Sequence, residues 1–312
     1  MRRLHADLAL LLAALIWGGG FIFQKSAMGH IGPLLFIAAR SVVAALALLP
    51  LVWREARNAA TMTEGPARLV IAAGVAFFAG AWLQQEGLKT ATVTNTGFLT
   101  ALYVVITPFI AWVWAGKRPS AIVWPAIVLS GVGTWLLGGG TLEALSRGDI
   151  LVALSSVMWA AHVVTCGHAS RFGRPIGFTA AQFVVVALLG AIGAVCLEDI
   201  DRQALGRALP DIAYVGLLSS AVTFAILTVS LQHTSPSEAA VIVSTETLFA
   251  ALAAYLLLGE RLAGLGWIGA GLILVAALLV QIGPALMVAT SGRAGGRTLL
   301  GSPPSPSINR EK

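Results

Sequence analysis

Runs free of Asp, Glu, Lys and Arg cover residues 8–24, 69–85, 90–116, 119–142, 150–170, 175–197, 212–237 and 262–292. Each is near or above the ~17–25 residues that an apolar helix needs to cross a bilayer. Two further apolar stretches carry a charge in their middle: 33–53 holds Arg40, and 236–258 holds Glu246. The pattern predicts an all-α membrane protein of ten transmembrane helices. Residues 284–312, "SGRAGGRTLLGSPPSPSINREK" included, are rich in Gly, Ser, Pro and Arg and lack any period, which predicts a disordered basic tail.

Self-comparison changes the picture most. At an offset of 142, "DLALLLAALIW" (7–17) meets "DILVALSSVMW" (149–159), so that Asp7 aligns with Asp149 and Trp17 with Trp159. At the same offset "AARSVVAALALL" (38–49) meets "AAQFVVVALLGA" (180–191), setting Arg40 against Gln182. After one inserted residue, "WAGKRPSAIVW" (114–124) meets "LLGERLAGLGW" (257–267) at 143. Residues 1–143 and 144–283 are therefore expected to be two five-helix repeats. Five is odd, so the second repeat starts on the opposite side of the membrane. Inverted repeats of this kind build secondary transporters, whose sites lie near the midplane between the halves. The start, "MRRLHADLALLLAALIWGGG", resembles a signal peptide. Its pairing with the sixth predicted span argues that it is kept.

The chain is 57% hydrophobic and 11% charged, against roughly 45–50% and 25% for soluble domains. The net charge of +6 is scattered among loops, which points away from nucleic acid as a partner. With a cytoplasmic N-terminus, thirteen Lys and Arg fall in inner segments and six in outer loops, with Arg40 inside a span. This predicts a multi-pass inner-membrane protein with both termini cytoplasmic. Cys166 and Cys196 show no paired or metal-ligand spacing and are expected to be small buried hydrophobes. No cofactor and no metal are expected.

Depth selects the candidate chemistry. At 1.5 Å of rise per residue, Trp17, Trp159, Tyr103 and Glu246 each fall roughly 14–15 Å from an end of their helix, the middle of a ~30 Å hydrocarbon core. Tryptophan normally collects at the interfaces, so the central pair either fills space between helices or walls a cavity. Glu246, in "STETLFAALAAYLLLG", either ties helices together or is a substrate or proton site. Arg40, about 10 Å from the outer end of its helix, has structural readings (snorkelling, an ion pair, carbonyl capping) and a functional one, a substrate carboxylate. His162 shares a helix face with Trp159 and is either a hydrogen-bonded packing residue or a ligand. Asn95, with Gln24, Gln85, Thr96 and Ser244, is expected to face inward because lipid offers no hydrogen-bond partner. Trp17, Tyr103, Trp159, Glu246, His162 and Asn95 form the candidate substrate-binding set, with Glu246 and Arg40 as candidate proton or charge sites. Pro108 is expected to kink the fourth span.

"WGGGFIFQK" (17–25), "AARSVVAALALLPL" (38–51), "LQQEGLKTATVTNTGFLTALYVVITPF" (83–109) and "HTSPSEAAVIVSTETLFAALAAYLLLGERL" (233–262) resemble the EamA-type transporters of the drug/metabolite transporter superfamily. The resemblance covers residues 1 to about 283. It implies a ten-helix permease for small organic solutes, often metabolites or amino acids and often outward, across a bacterial inner membrane. The chain departs from the pattern at Gly19 and Gly20, where a Ser-Asn pair is common, and at Thr247, where a proline often follows the glutamate. An exporter of drugs or organic cations is the alternative. A receptor or scaffold is a lesser reading, and an enzyme is not expected, since the spans hold no aspartate and His162 and His168 lie on different helix faces. The expected partners are a small-molecule substrate, protons as a coupling ion and the lipid bilayer. Monomer and homodimer both fit.

Overall fold

A computed structural model describes residues 3–58, 67–116, 118–137, 139–140, 146–261 and 264–279. The described residues are helical throughout, with no strand among them. In chain order the helices are α1 (Arg3–Ala27), α2 (Pro33–Asn58), α3 (Ala67–Leu88), α4 (Val93–Thr100), α5 (Tyr103–Ala115) and α6 (Val123–Leu137), followed by α7 (Arg147–Ala169) and α8 (Pro175–Leu197). Short α9 (Arg202–Arg207) and α10 (Leu209–Ala213) lead into a π-helical segment, Tyr214–Val222, and α11 (Thr223–Ser230). The chain continues with α12 (Pro236–Val243), α13 (Glu246–Leu258) and α14 (Gly264–Leu279).

Counting α4–α5, α10–α11 and α12–α13 each as one segment, eight helical segments are long and apolar enough to cross a membrane. In place of the fifth and tenth expected spans stand the shorter apolar helices α6 and α14. The proposed tail, 284–312, lies outside the described residues. Large apolar side chains point outward along the bundle, among them Leu46, Val113, Val195 and Leu256. In a protein crossing a bilayer this surface faces lipid, which is as apolar as leucine. Cys196 lies on that outer surface, whereas Cys166 is buried as expected.

α2 and α8 form the most extensive helix pair and run antiparallel, fastened at both ends by carboxylates. Glu198, just past α8, accepts the first-turn amides of α2: Leu34 N at 2.8 Å and Leu35 N at 2.9 Å. Glu55, near the end of α2, accepts Ile176 N at 3.1 Å and Gly177 N at 2.7 Å in the first turn of α8. First-turn amides have no partner within their own helix, and the helix dipole favours an anion there. Gly32 makes room, since a Cβ on it would collide with the Glu198 carboxylate. The donors are 142 residues apart and the acceptors 143, the offsets found in the sequence.

Candidate functional site

Two helix breaks place the centre of the molecule. α4 gives way to α5 at Ala101–Leu102, and α12 gives way to α13 at Ser244–Thr245. At the second break Ser244 donates its hydroxyl to Val241 O at 2.7 Å, and Thr245 to Ile242 O at 2.8 Å. Backbone bonds tighten there to the three-residue spacing, with Leu248 N bonding Thr245 O at 3.0 Å. The first break tightens in the same way, Val104 N bonding Ala101 O at 3.0 Å. Pro108, expected to kink this segment, sits inside α5 seven residues past the break. Tyr103 and Glu246 are thus the opening residues of α5 and α13.

Both face one cavity, whose walls also include Trp17, Trp159, His162 and Arg40. Gly18 seats α1 directly on α13: a Cβ there would lie 2.7 Å from Glu246 O and from Ala250 N. That contact carries Trp17 to the cavity. Its indole N–H donates to Ser219 O, 2.8 Å away, a carbonyl in the π-helical segment. Trp159 stands edge-on to Phe77, with centroids 5.1 Å apart and planes at 89°. Its indole nitrogen is buried without an acceptor, as is the Tyr103 hydroxyl. Phe224 joins the two tryptophans, 4.9 Å from Trp17 and 6.2 Å from Trp159 by centroid. Nothing in the sequence marks Phe224, one apolar residue within an apolar run.

His162 is fully buried, with Nε2 2.8 Å from Gln182 Oε1, so its ring is hydrogen-bonded as well as facing the cavity. Arg40 does not snorkel. It is 3% exposed, with its guanidinium carbon 5.5 Å from the Phe77 centroid and 5.7 Å from that of Phe36. Its Nε and Nη2 have no hydrogen-bond partner. Ion pairs among the described residues join Arg3 to Asp7 and Glu238, and Lys89 to Glu86. Neither Arg40 nor Glu246 belongs to any of them. Among the described residues the cavity therefore holds one acidic and one basic side chain, which face it without forming an ion pair with each other.

Asn95 stands apart from this group. Its amide donates to Asp149 Oδ1 at 3.3 Å, near the start of α4, and it does not line the cavity. The structure brings Gln24, Gln84 and Thr100 to the wall instead. Gln24 accepts from Gln85, and Gln84 donates to Thr100 at 2.8 Å. Gln84 and Thr100 were no more conspicuous in the sequence than their neighbours. Among the described residues no cluster of His, Cys, Asp and Glu is gathered for a metal ion.

Comparison with known proteins follows this geometry. An uncharacterized transporter of Archaeoglobus fulgidus is 30% identical over 284 residues, 90% of this chain and 87% of that one. The uncharacterized transporter YwfM of Bacillus subtilis is 26% identical, covering 89% of this chain and 94% of its own. The uncharacterized inner membrane transporter YedA of Escherichia coli is 23% identical, covering 90% and 92%. One solved crystal structure shares the fold at a TM-score of 0.73 and 15% identity, over 90% of this chain and 98% of that chain. The profile of the EamA-like transporter family matches twice, over residues 4–139 and 146–282. With eight segments long and apolar enough to cross a membrane and both halves matched, the chain is a multi-pass membrane protein and belongs to the EamA-like transporter family.

Proposed function

We propose that the chain is a secondary transporter of small organic solutes, built as ten crossings in two inverted five-helix repeats, 1–143 and 144–283, that presents its central cavity to each side of the membrane in turn. The observation that carries this reading is the pair of broken helices: Tyr103 and Glu246 open α5 and α13 at positions 143 apart and face one cavity. Discontinuous helices at the repeat interface are where transporters of this architecture bind solute. The double match to one family profile and the reciprocal carboxylate caps at matched offsets support the repeat. Orientation follows the positive-charge asymmetry, with both termini cytoplasmic. Glu246 is the proposed site for a solute amine or for a coupling proton, with Trp17, Tyr103, Trp159 and His162 around it.

Purified protein in proteoliposomes, screened with labelled amino acids, nucleosides and cationic drugs, should accelerate saturable flux of at least one class. Flux no faster than from protein-free vesicles across the screen would count against transport. Reporter fusions after Arg57 and Arg171 should read as cytoplasmic, and those after Arg147 and Arg202 as external. The reverse assignment would overturn the orientation. Glu246 beside aromatic faces also suits a bare organic cation, so the cationic drugs in the screen test export of that class directly.

A further inference from the structure

The polar atoms of the cavity are unequally used. Trp17, His162, Gln24 and Gln84 have hydrogen-bond partners. Arg40 Nε and Nη2, Trp159 Nε1 and the Tyr103 hydroxyl do not, although all are buried. Leaving a buried donor unpaired costs about 1–3 kcal/mol, and more when it is charged. Arg40 is the most expensive of these, since a cation at membrane depth normally has a partner or a task. The rings of Phe36 and Phe77 offer it their faces but no acceptor atom.

From these donors we infer that Arg40 is the specificity-determining residue of the cavity, receiving the carboxylate of a zwitterionic solute whose ammonium group is drawn to Glu246. The inference rests on the proposed transport reading and deepens it. Guanidinium and carboxylate match as planar, two-pronged partners. Trp159, which shares the Phe77 ring with Arg40, has an indole N–H free to add a second contact to the same oxyanion. Glu246 lines the same cavity and is in no ion pair with Arg40, so both charges are left for a solute. Trp17 and Phe224 form an apolar wall for a side chain. A solute with only an amine would leave Arg40 buried and unpaired, and one with only a carboxylate would do the same to Glu246. Each mismatch is rejected for the charge that it strands.

The test uses proteoliposomes of the full chain and three probe sets: the proteinogenic amino acids, the amines obtained by removing their carboxyl group, and the acids obtained by removing their amino group. At least one amino acid should be transported, with its amine and its acid at least about tenfold weaker. Arg40→Gln should lower transport of that amino acid by about tenfold or more while raising transport of its amine, because the charge that the amine strands is gone. Arg40→Lys, which keeps the charge and loses the fork, should fall between. Thermal melting of each purified variant separates folding from recognition. Equal loss of amino acid and amine by a folded Arg40→Gln protein, or no loss of either, would overturn the inference. So would transport of amines or acids without amino acids, an outcome that leaves the transport reading standing. Flux of no probe in these sets also overturns it, and the nucleoside and drug arms then decide the transport reading by themselves.

Discussion

Trp17 and Trp159 occupy corresponding places in the two segments matched by the family profile, yet their indole nitrogens have opposite fates. Trp17 reaches a carbonyl of the π-helical segment at 2.8 Å. Trp159 meets regular α3 and the edge of Phe77, with no acceptor. Arg40 and Gln182 differ less sharply: Gln182 Oε1 is paired with His162 Nε2, while Gln182 Nε2 is unpaired, as are Arg40 Nε and Nη2. The two segments match one family profile and differ in their polar pairings. Arg40, Trp159 and Tyr103 leave hydrogen-bonding capacity unspent on the cavity wall, and a site with an acid toward one part and free donors toward another favours a solute with unlike ends.

The largest test of this asymmetry is Glu246→Gln. It removes the only acidic side chain that the described residues place on the cavity wall and is expected to cut transport by about a hundredfold or more, as loss of a buried charge partner does. Folded protein should stay near wild-type abundance, measured by size exclusion in detergent. Parallel loss of both would make Glu246 a structural tie. Next come the caps: Glu55→Ala and Glu198→Ala should each cost about 1–2 kcal/mol by denaturant unfolding. The double variant should cost about the sum, because the caps sit at opposite ends of α2. A marked departure from additivity would mean that the ends communicate. Smallest are the tryptophans. Trp17→Phe should lower stability by about 0.5–1.5 kcal/mol through the bond to Ser219. Trp159→Phe breaks no such bond and should act on apparent solute affinity alone, by a few-fold; equal stability losses would erase the contrast.

Sequence patterning reached the apolar segments and singled out Trp17, Tyr103, Trp159 and Glu246, which line one cavity, because hydrophobic runs and their offsets are written in residue types. It did not reach the breaks at Ala101–Leu102 and Ser244–Thr245, since the apolar runs continue through both. Only the hydroxyl-rich "STET" hinted at one of them. Asn95 was misplaced for a related reason. Depth along a straight helix does not specify which way a short segment ahead of a break will turn, and α4 turns Asn95 toward Asp149. Tyr214–Val222 gave no sign of π geometry, although that segment supplies the carbonyl for Trp17. Glu55 and Glu198 bond to backbone amides, which every residue but proline carries. Such partners leave no trace in composition, and only the matched offsets mark the pair.

Those two carboxylates also set an order for biosynthesis. When α8 emerges, Glu55 has already been made and can receive its first turn at once. α2 has the opposite experience, because the carboxylate for its Leu34 amide arrives 164 residues later. Until then its first turn needs water or lipid headgroups as a temporary acceptor, and the nascent first segment is open to quality-control proteases. A chain cut between α6 and α7 should therefore give an N-terminal fragment that is rapidly degraded when made alone and is protected when the C-terminal fragment is made beside it. Replacing Glu198 in that second fragment by alanine should withdraw much of the protection.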